Sequence, residues 1–240
     1  MITGRPPQVS NMSVNDSAGT IEEGRLDVNG AGGLDLCPIF RYVVVTLENF
    51  TRVIGLCGKT GAGKDEVAKY LQSTLWEALI YKHSGVLREM LEMNERPAEA
   101  QNMSNLFEAI AGQLGYAWLA RVVIRNVRDD PRNPSPERLR TIVGIRNTDE
   151  VIAYREAFGD DFRLVAVHAD EMLRYPRVRN RDERAEEQDM TFEAFQRFGQ
   201  LGANTGESAV IDMADDLIIN HATLEKLHEI VRYLPLVRDP

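Results

Sequence analysis

A chain of 240 residues, 43% hydrophobic and 27% charged, holds enough apolar material for one sizeable core. Its formal net charge of −9 excludes general attraction to DNA or anionic membranes, so any phosphate recognition must rest on local basic clusters. Two cysteines, Cys37 and Cys57, exclude a disulfide framework, and with no secretory signal and no apolar run long enough to span a bilayer the expected location is the cytoplasm.

Residues 1–36 are rich in Gly, Ser and Asn and show no sustained period. They read as a disordered leader, an expression remnant or the product of a mis-assigned start codon. The expected organisation is a leader over 1–42 and one folded domain over 43–240; the apolar run 40–47 reads equally as strand or leader. From residue 51 the pattern turns βα. A buried strand over 51–57 leads into a glycine loop and an amphipathic helix with Val67, Leu71 and Leu75 on one face. A second strand is expected over 78–83, and a helix over 86–95 that stops before Pro97. Residues 101–115 and 118–127 read as one bent helix or two, and the three prolines of 129–137 mark a turn-rich connection. Strands follow over 139–145 and 162–169, with a helix over 149–158 between them. The charged span 174–198 reads as mostly helical, 217–220 as a last strand and 223–234 as a closing helix. This alternation predicts an α/β fold of three layers with a parallel sheet of about five strands covered on both faces; the P-loop variety of that fold rests on the glycine loop at 58–64.

Gly58-Lys59-Thr60-Gly61-Ala62-Gly63-Lys64 satisfies the G-x-x-x-x-G-K part of the phosphate-loop pattern. Glycines let the backbone curl until successive N–H groups point at phosphate oxygens. The following helix adds its positive end, and Lys64 adds a full charge for the β and γ phosphates. ATP is the expected ligand. The eighth position is Asp65, where a Ser or Thr hydroxyl would ordinarily hold Mg²⁺. A carboxylate can ligate Mg²⁺ itself, and without a metal it repels phosphate.

Residues 51–71 followed by Ser84-Gly85-Val86-Leu87-Arg88-Glu89 resemble the opening of nucleoside monophosphate kinases and their dephospho-CoA kinase relatives. The later motifs are similar to those of an uncharacterised archaeal group of adenylate-kinase-like P-loop proteins. These are Gly144-Ile145-Arg146-Asn147 with Glu150-Val151, then Val165-Ala166-Val167-His168-Ala169, Ala214-Asp215 and Asn220. The resemblance spans about residues 51–234. It implies that Arg88 and Arg146 bind the phosphate of an acceptor, a role that suits a guanidinium fork. It also implies a lid over 174–198. There Arg174, Arg177, Arg179, Arg181 and Arg184 are expected to close on the donor phosphates, with Arg177 and Arg181 as catalytic candidates beside Lys64, Asp65 and Arg146. Asn220 and Thr223 are placed near a nucleotide base, Thr223 having helix capping as its simpler reading.

Two departures bear on the metal. Members of such families usually carry an acid before Gly-Ile-Arg, where this chain has Val143, and Asp65 replaces the hydroxyl. Phage deoxynucleotide kinases and animal phosphomevalonate kinases resemble this loop in having Asp after the lysine, so Asp65 is read as a compensating Mg²⁺ ligand. The expected activity is γ-phosphoryl transfer from ATP to a small phosphate-bearing or hydroxyl-bearing acceptor, a nucleotide or nucleotide-like molecule. A catalytically weak nucleotide-binding protein and an NTPase serving a partner are the alternatives. No basic stripe with interleaved aromatics points to nucleic acid, and oligomeric state is not legible. His83, His168, His221 and His228 show no metal-ligand spacing with the cysteines, so the spacing predicts no zinc site. Cys57, Trp76 and Trp118 are expected to be packed, and Asp212, Asp215 and Asp216 to serve turns and helix ends.

Overall fold

The computed structural model describes residues 52–234, apart from 75–77, 133–137, 182–184, 202, 203 and 205. The expected leader, Cys37, Leu75, Trp76 and Arg184 lie outside the described residues.

The sheet follows from the apolar runs. β1 (Val53–Cys57), β2 (Leu79–Lys82), β3 (Arg140–Ile145), β4 (Phe162–His168) and β5 (Asp216–Ile219) are all parallel, in the order β2-β3-β1-β4-β5. Every residue of β1 is buried. Val53 and Cys57 join one apolar cluster with Ile142, Tyr154 and Leu164, whereas Ile54 and Leu56 join another with Val67, Leu71 and Val165. Successive strand residues face opposite ways, so two buried sets mean a sheet covered on both sides. Full burial of Ile54 or Leu56 contributes about 1.5–3 kcal/mol each.

The helices are α1 (Lys64–Thr74), α2 (His83–Met93), α3 (Ala100–Leu114), α4 (Trp118–Asp129), α5 (Thr148–Phe158), α6 (Glu171–Asn180), α7 (Ala185–Gln188), α8 (Phe192–Phe198), α9 (Glu207–Asp212) and α10 (Leu224–Arg232). α1 and α10 cover one face, and α4, α5 and α9 the other. α2, α3 and α4 build a third apolar cluster around Leu87, Leu91, Met103, Phe107 and Trp118.

Several boundaries differ from the sequence expectation. α2 starts three residues early, at His83, because β2 runs into it without a loop. The 101–127 stretch is two helices, divided at Gly115, whose φ of +81° a residue with a side chain rarely adopts. The charged span 174–198 is three helices, and α9, too short to show a period, was not expected.

One irregularity sets up the site. β1 and β3 pair Leu56 with Val143 and then Cys57 with Ile145, so Gly144 is an extra residue with φ +98°. This bulge returns Ile145 to the face of Ile142 and fixes where Arg146 leaves the sheet.

Candidate functional site

The carboxyl ends of β1, β2, β3 and β5 open beneath a cavity of about 610 Å³, a size suited to a small organic ligand. The loop from Gly58 to Gly63 forms one end. Gly58, Gly61 and Gly63 all have positive φ. A side chain on Gly58 would stand 2.1 Å from the Val167 carbonyl oxygen, and one on Gly63 would stand 2.4 Å from the Asn220 amide. The loop thus curls tightly for a reason visible in its neighbours.

Lys64 opens α1 and is 7% exposed. Its ammonium donates to the carbonyls of Gly58 and Lys59, the second at 3.1 Å. Burial pulls its pKa down to about 8, with Arg146 acting in the same direction and Glu207 and Asp65 opposing. Its charge is therefore held on the loop's own oxygens, which phosphate oxygens can replace. Cys57, just upstream, is a fully buried free thiol pushed up to about 12 by burial, which makes it an inert core residue.

Asp65 also lines the cavity. Its Oδ1 lies 2.5 Å from the Lys82 ammonium at the end of β2. Burial disfavours the charged carboxylate, yet Lys82, Lys64 and Arg181 outweigh it and hold the pKa below the usual carboxylate range. Lys82 is the β-ladder partner of Val143, the position where an acid is usual in the families resembled. This chain therefore places a cation next to the substituted position, and that cation holds the substituted acid.

Arg146 follows β3 and lines the cavity. Its Nε faces Glu207 Oε1 at 3.3 Å, without hydrogen-bond geometry. Its backbone N–H and that of Asn147 both donate to Glu150 Oε2, at 2.8 and 3.1 Å, while Asn147 caps α5. The Asn147-x-x-Glu150 spacing is a helix-start signature, and it fixes the arginine's backbone. Glu150 Oε1 lies 3.3 Å from His83 Nδ1, and His83 Nε2 meets the Tyr154 hydroxyl at 2.7 Å. Both nitrogens of this buried imidazole are occupied, so His83 forms part of the cavity wall.

The four described arginines of the expected lid do not share one position. Arg177 and Arg181 line the cavity. Arg177 donates to the Asn220 carbonyl at 3.1 Å, and Arg181 makes two hydrogen bonds to the fully buried Glu187. Arg174 is buried and braces the loop from behind, donating to Thr60 and Ala169 carbonyls beneath the ring of Phe195. Arg179 turns to Gln188 and the Tyr175 ring.

Arg88 is exposed and outside the cavity lining. Leu87 and Leu91, one turn apart, take the buried face of α2 instead. In place of Arg88 the far end of the cavity presents Leu87, Met103, Phe107 and Leu119, with Ser84 and Ser104 among them. Asn220 is buried, lines the cavity and donates to the Ala62 carbonyl at 2.8 Å. Thr223 caps α10. Asp215 and Asp216 serve structure: Asp215 accepts from Leu164 N–H and Arg155, and Asp216 pairs with Arg163. Sequence reasoning missed Glu207, Lys82 and Glu150 as shapers of this site; only Glu150 left a signal, its spacing from Asn147.

No family model matches the chain. A UPF0200 protein of Halobacterium salinarum is 30% identical over 190 residues, 79% of this chain and 95% of its own length. A UPF0200 protein of Thermococcus onnurineus is 26% identical over 183 residues, 76% of this chain and 95% of its own. Among solved structures, a shikimate kinase from Bacteroides thetaiotaomicron aligns with a TM-score of 0.51 and 14% identity, over 76% of this chain and 97% of that one. At such identity the likeness is one of fold.

Proposed function

The chain belongs to the UPF0200 family, has the fold of P-loop kinases, and on that premise we propose that it transfers the γ-phosphoryl group of ATP to a small acceptor. The observation that carries this reading is the two-ended cavity. Its phosphate end holds the glycine loop, Lys64, Arg146, Arg177 and Arg181, and its far end is an apolar recess between α2, α3 and α4. A plain NTPase needs the first end and has no use for the second.

In the proposed reaction the loop N–H groups and Lys64 hold the donor phosphates. An acceptor oxygen attacks the γ-phosphorus as the bond to the β–γ bridging oxygen breaks; ADP leaves, and the acceptor's proton passes to a phosphate oxygen or to water. Arg146, Arg177 and Arg181 line the cavity, and in this reading they neutralise charge spread over the transferring group, which is most of what such transfer requires. Asp65, ionised and at the cavity wall, is a hard oxygen donor that fits Mg²⁺ once Lys82 turns away. Mg²⁺ bound there would neutralise the β and γ phosphates. Lys82 is 40% exposed at its side chain, so it has room to move. The recess of Leu87, Met103, Phe107 and Leu119 suits an acceptor with a flat or apolar body, such as a nucleobase.

A second reading draws on the Asp65–Lys82 pair and Val143: nucleotide binding with little turnover. An assay of ADP formation with ATP and Mg²⁺, across ribo- and deoxynucleoside monophosphates and dephospho-CoA, separates the two. Acceptor-dependent ADP that vanishes in Lys64→Ala is the expected result. ATP binding with no acceptor raising ADP above that control would overturn the kinase reading in favour of the second.

A further inference from the structure

We propose that His168, Asp170 and His221 form a binding site for a zinc-class divalent transition-metal ion, at the carboxyl ends of β4 and β5 and outside the nucleotide cavity. The two histidines are 53 positions apart in sequence, and strand pairing brings them together. The His168 carbonyl accepts the Asn220 N–H at 2.7 Å, which sets His221 beside the end of β4. The two rings stand 5.7 Å apart, centroid to centroid.

Asp170 completes the group. Its Oδ1 lies 3.6 Å from His168 Nε2 and 3.4 Å from His221 Nε2, and all three ligand atoms fall within 4.8 Å of one another. Two ligands on a tetrahedral ion, each about 2.0–2.1 Å from it, stand roughly 3.3–3.4 Å apart. Both carboxylate–imidazole edges are therefore within a few tenths of an ångström of metal-bound spacing.

A separate observation concerns the carboxylate. Asp170 is the N-cap of α6, in extended backbone, yet its side chain makes no capping hydrogen bond. An aspartate at that position ordinarily accepts from the first turn of the helix. Here the carboxylate leaves the helix start uncapped and turns to the two imidazoles.

Two imidazoles and one carboxylate suit Zn²⁺, Co²⁺ or Ni²⁺ and are poor partners for Mg²⁺, which prefers oxygen donors throughout. The three side chains are 41–62% exposed, which leaves a fourth position open to water. Other described histidines do not compete: His83 is buried between Glu150 and Tyr154, and His228 stacks on Tyr70 at 4.3 Å. An ion here would fasten the start of α6 to the ends of β4 and β5. α6 carries Arg174 against the Thr60 carbonyl and Arg177 against the Asn220 carbonyl, so the staple would hold the element that frames the nucleotide loop. Ordinary surface ion pairs between these residues are the competing explanation, and they would contribute little.

The test uses the full chain without an affinity tag, stripped of metal, titrated with Zn²⁺ by calorimetry and with Co²⁺ by visible absorption. The expected result is one ion per chain, d–d bands for Co²⁺, and a melting temperature that rises with Zn²⁺. His168→Asn with His221→Asn should weaken Zn²⁺ binding roughly tenfold or more, and Asp170→Asn should weaken it too. Because the side chains are half-exposed, metal-free variants should melt as the wild type does, which keeps a folding defect apart from loss of the site. Identical Zn²⁺ isotherms for the wild type and the double histidine variant would overturn the proposal, as would Co²⁺ binding without d–d bands of low-symmetry coordination. Neither readout depends on the kinase reaction.

Discussion

If the cavity takes ATP as proposed, the buried position of Lys64 should make its affinity a function of pH in a range where few side chains titrate. With a pKa of about 8, this ammonium is about 90% protonated at pH 7 and about 10% protonated at pH 9. Phosphate oxygens favour the charged form, so they raise the pKa in the complex and binding at alkaline pH takes up a proton. Affinity should therefore fall as pH rises through 8. If the charged form alone grips phosphate, the apparent Kd rises roughly tenfold between pH 7 and 9. Two neighbours stay silent in this window: Cys57 is pushed up to about 12, and Asp65 is held below the carboxylate range. Calorimetry in buffers of different ionisation enthalpy, with Lys64→Met measured beside the wild type, reads both the affinity and the proton uptake. The variant removes any contribution from ATP's own ionisation. A wild-type Kd that is flat over this range, or that changes in parallel with the variant, refutes the reasoning.

Three further outcomes follow from the same geometry. Lys82→Met should free Asp65 for a cation and lower the Mg²⁺ concentration at half-maximal ATP binding several-fold, as a Mg²⁺ titration would show; an unchanged requirement means Lys82 does not guard the carboxylate. Glu207→Gln removes a charge that supports the Lys64 ammonium, so the pH midpoint of ATP binding should move below that of the wild type; a midpoint that stays or rises contradicts the assigned coupling. Gly58→Ala would set a methyl against the Val167 carbonyl at positive φ. The expected cost is about 2 kcal/mol or more, a fall in Tm of roughly 4–8 °C, together with lost ATP binding. A variant that melts and binds ATP as the wild type does would show the loop to be less confined than described.

Features written in local spacing were legible in the sequence. The glycine spacing of the loop and the apolar run before it carry their physical reason within a few residues, and the structure shows them where expected; the Asn147–Glu150 cap is equally local, but its spacing was not read. Features that depend on register across strands were not. Lys82 meets Asp65 because β2 ends level with Val143 and the start of α1, a relation no window of sequence contains. His168 and His221 meet only through β4 and β5. Helix phase accounts for Arg88: with α2 starting at His83, Leu87 and Leu91 take the inner face and the arginine turns to solvent. Glu207 lies in a six-residue helix too short for a periodic signal. The arginine-rich span shows the same division, since composition announces a basic cluster but only packing separates Arg177 and Arg181 at the cavity from Arg174 behind the loop.

The central claim is that the cavity brings a donor phosphate and an acceptor together, and the fate of a labelled γ-phosphoryl group tests it most directly. With γ-labelled ATP, Mg²⁺ and the acceptor panel, label should move to an organic product in the presence of one acceptor class and in a manner that requires Lys64. Label that accumulates solely as inorganic phosphate, at a rate no acceptor alters, would contradict the account.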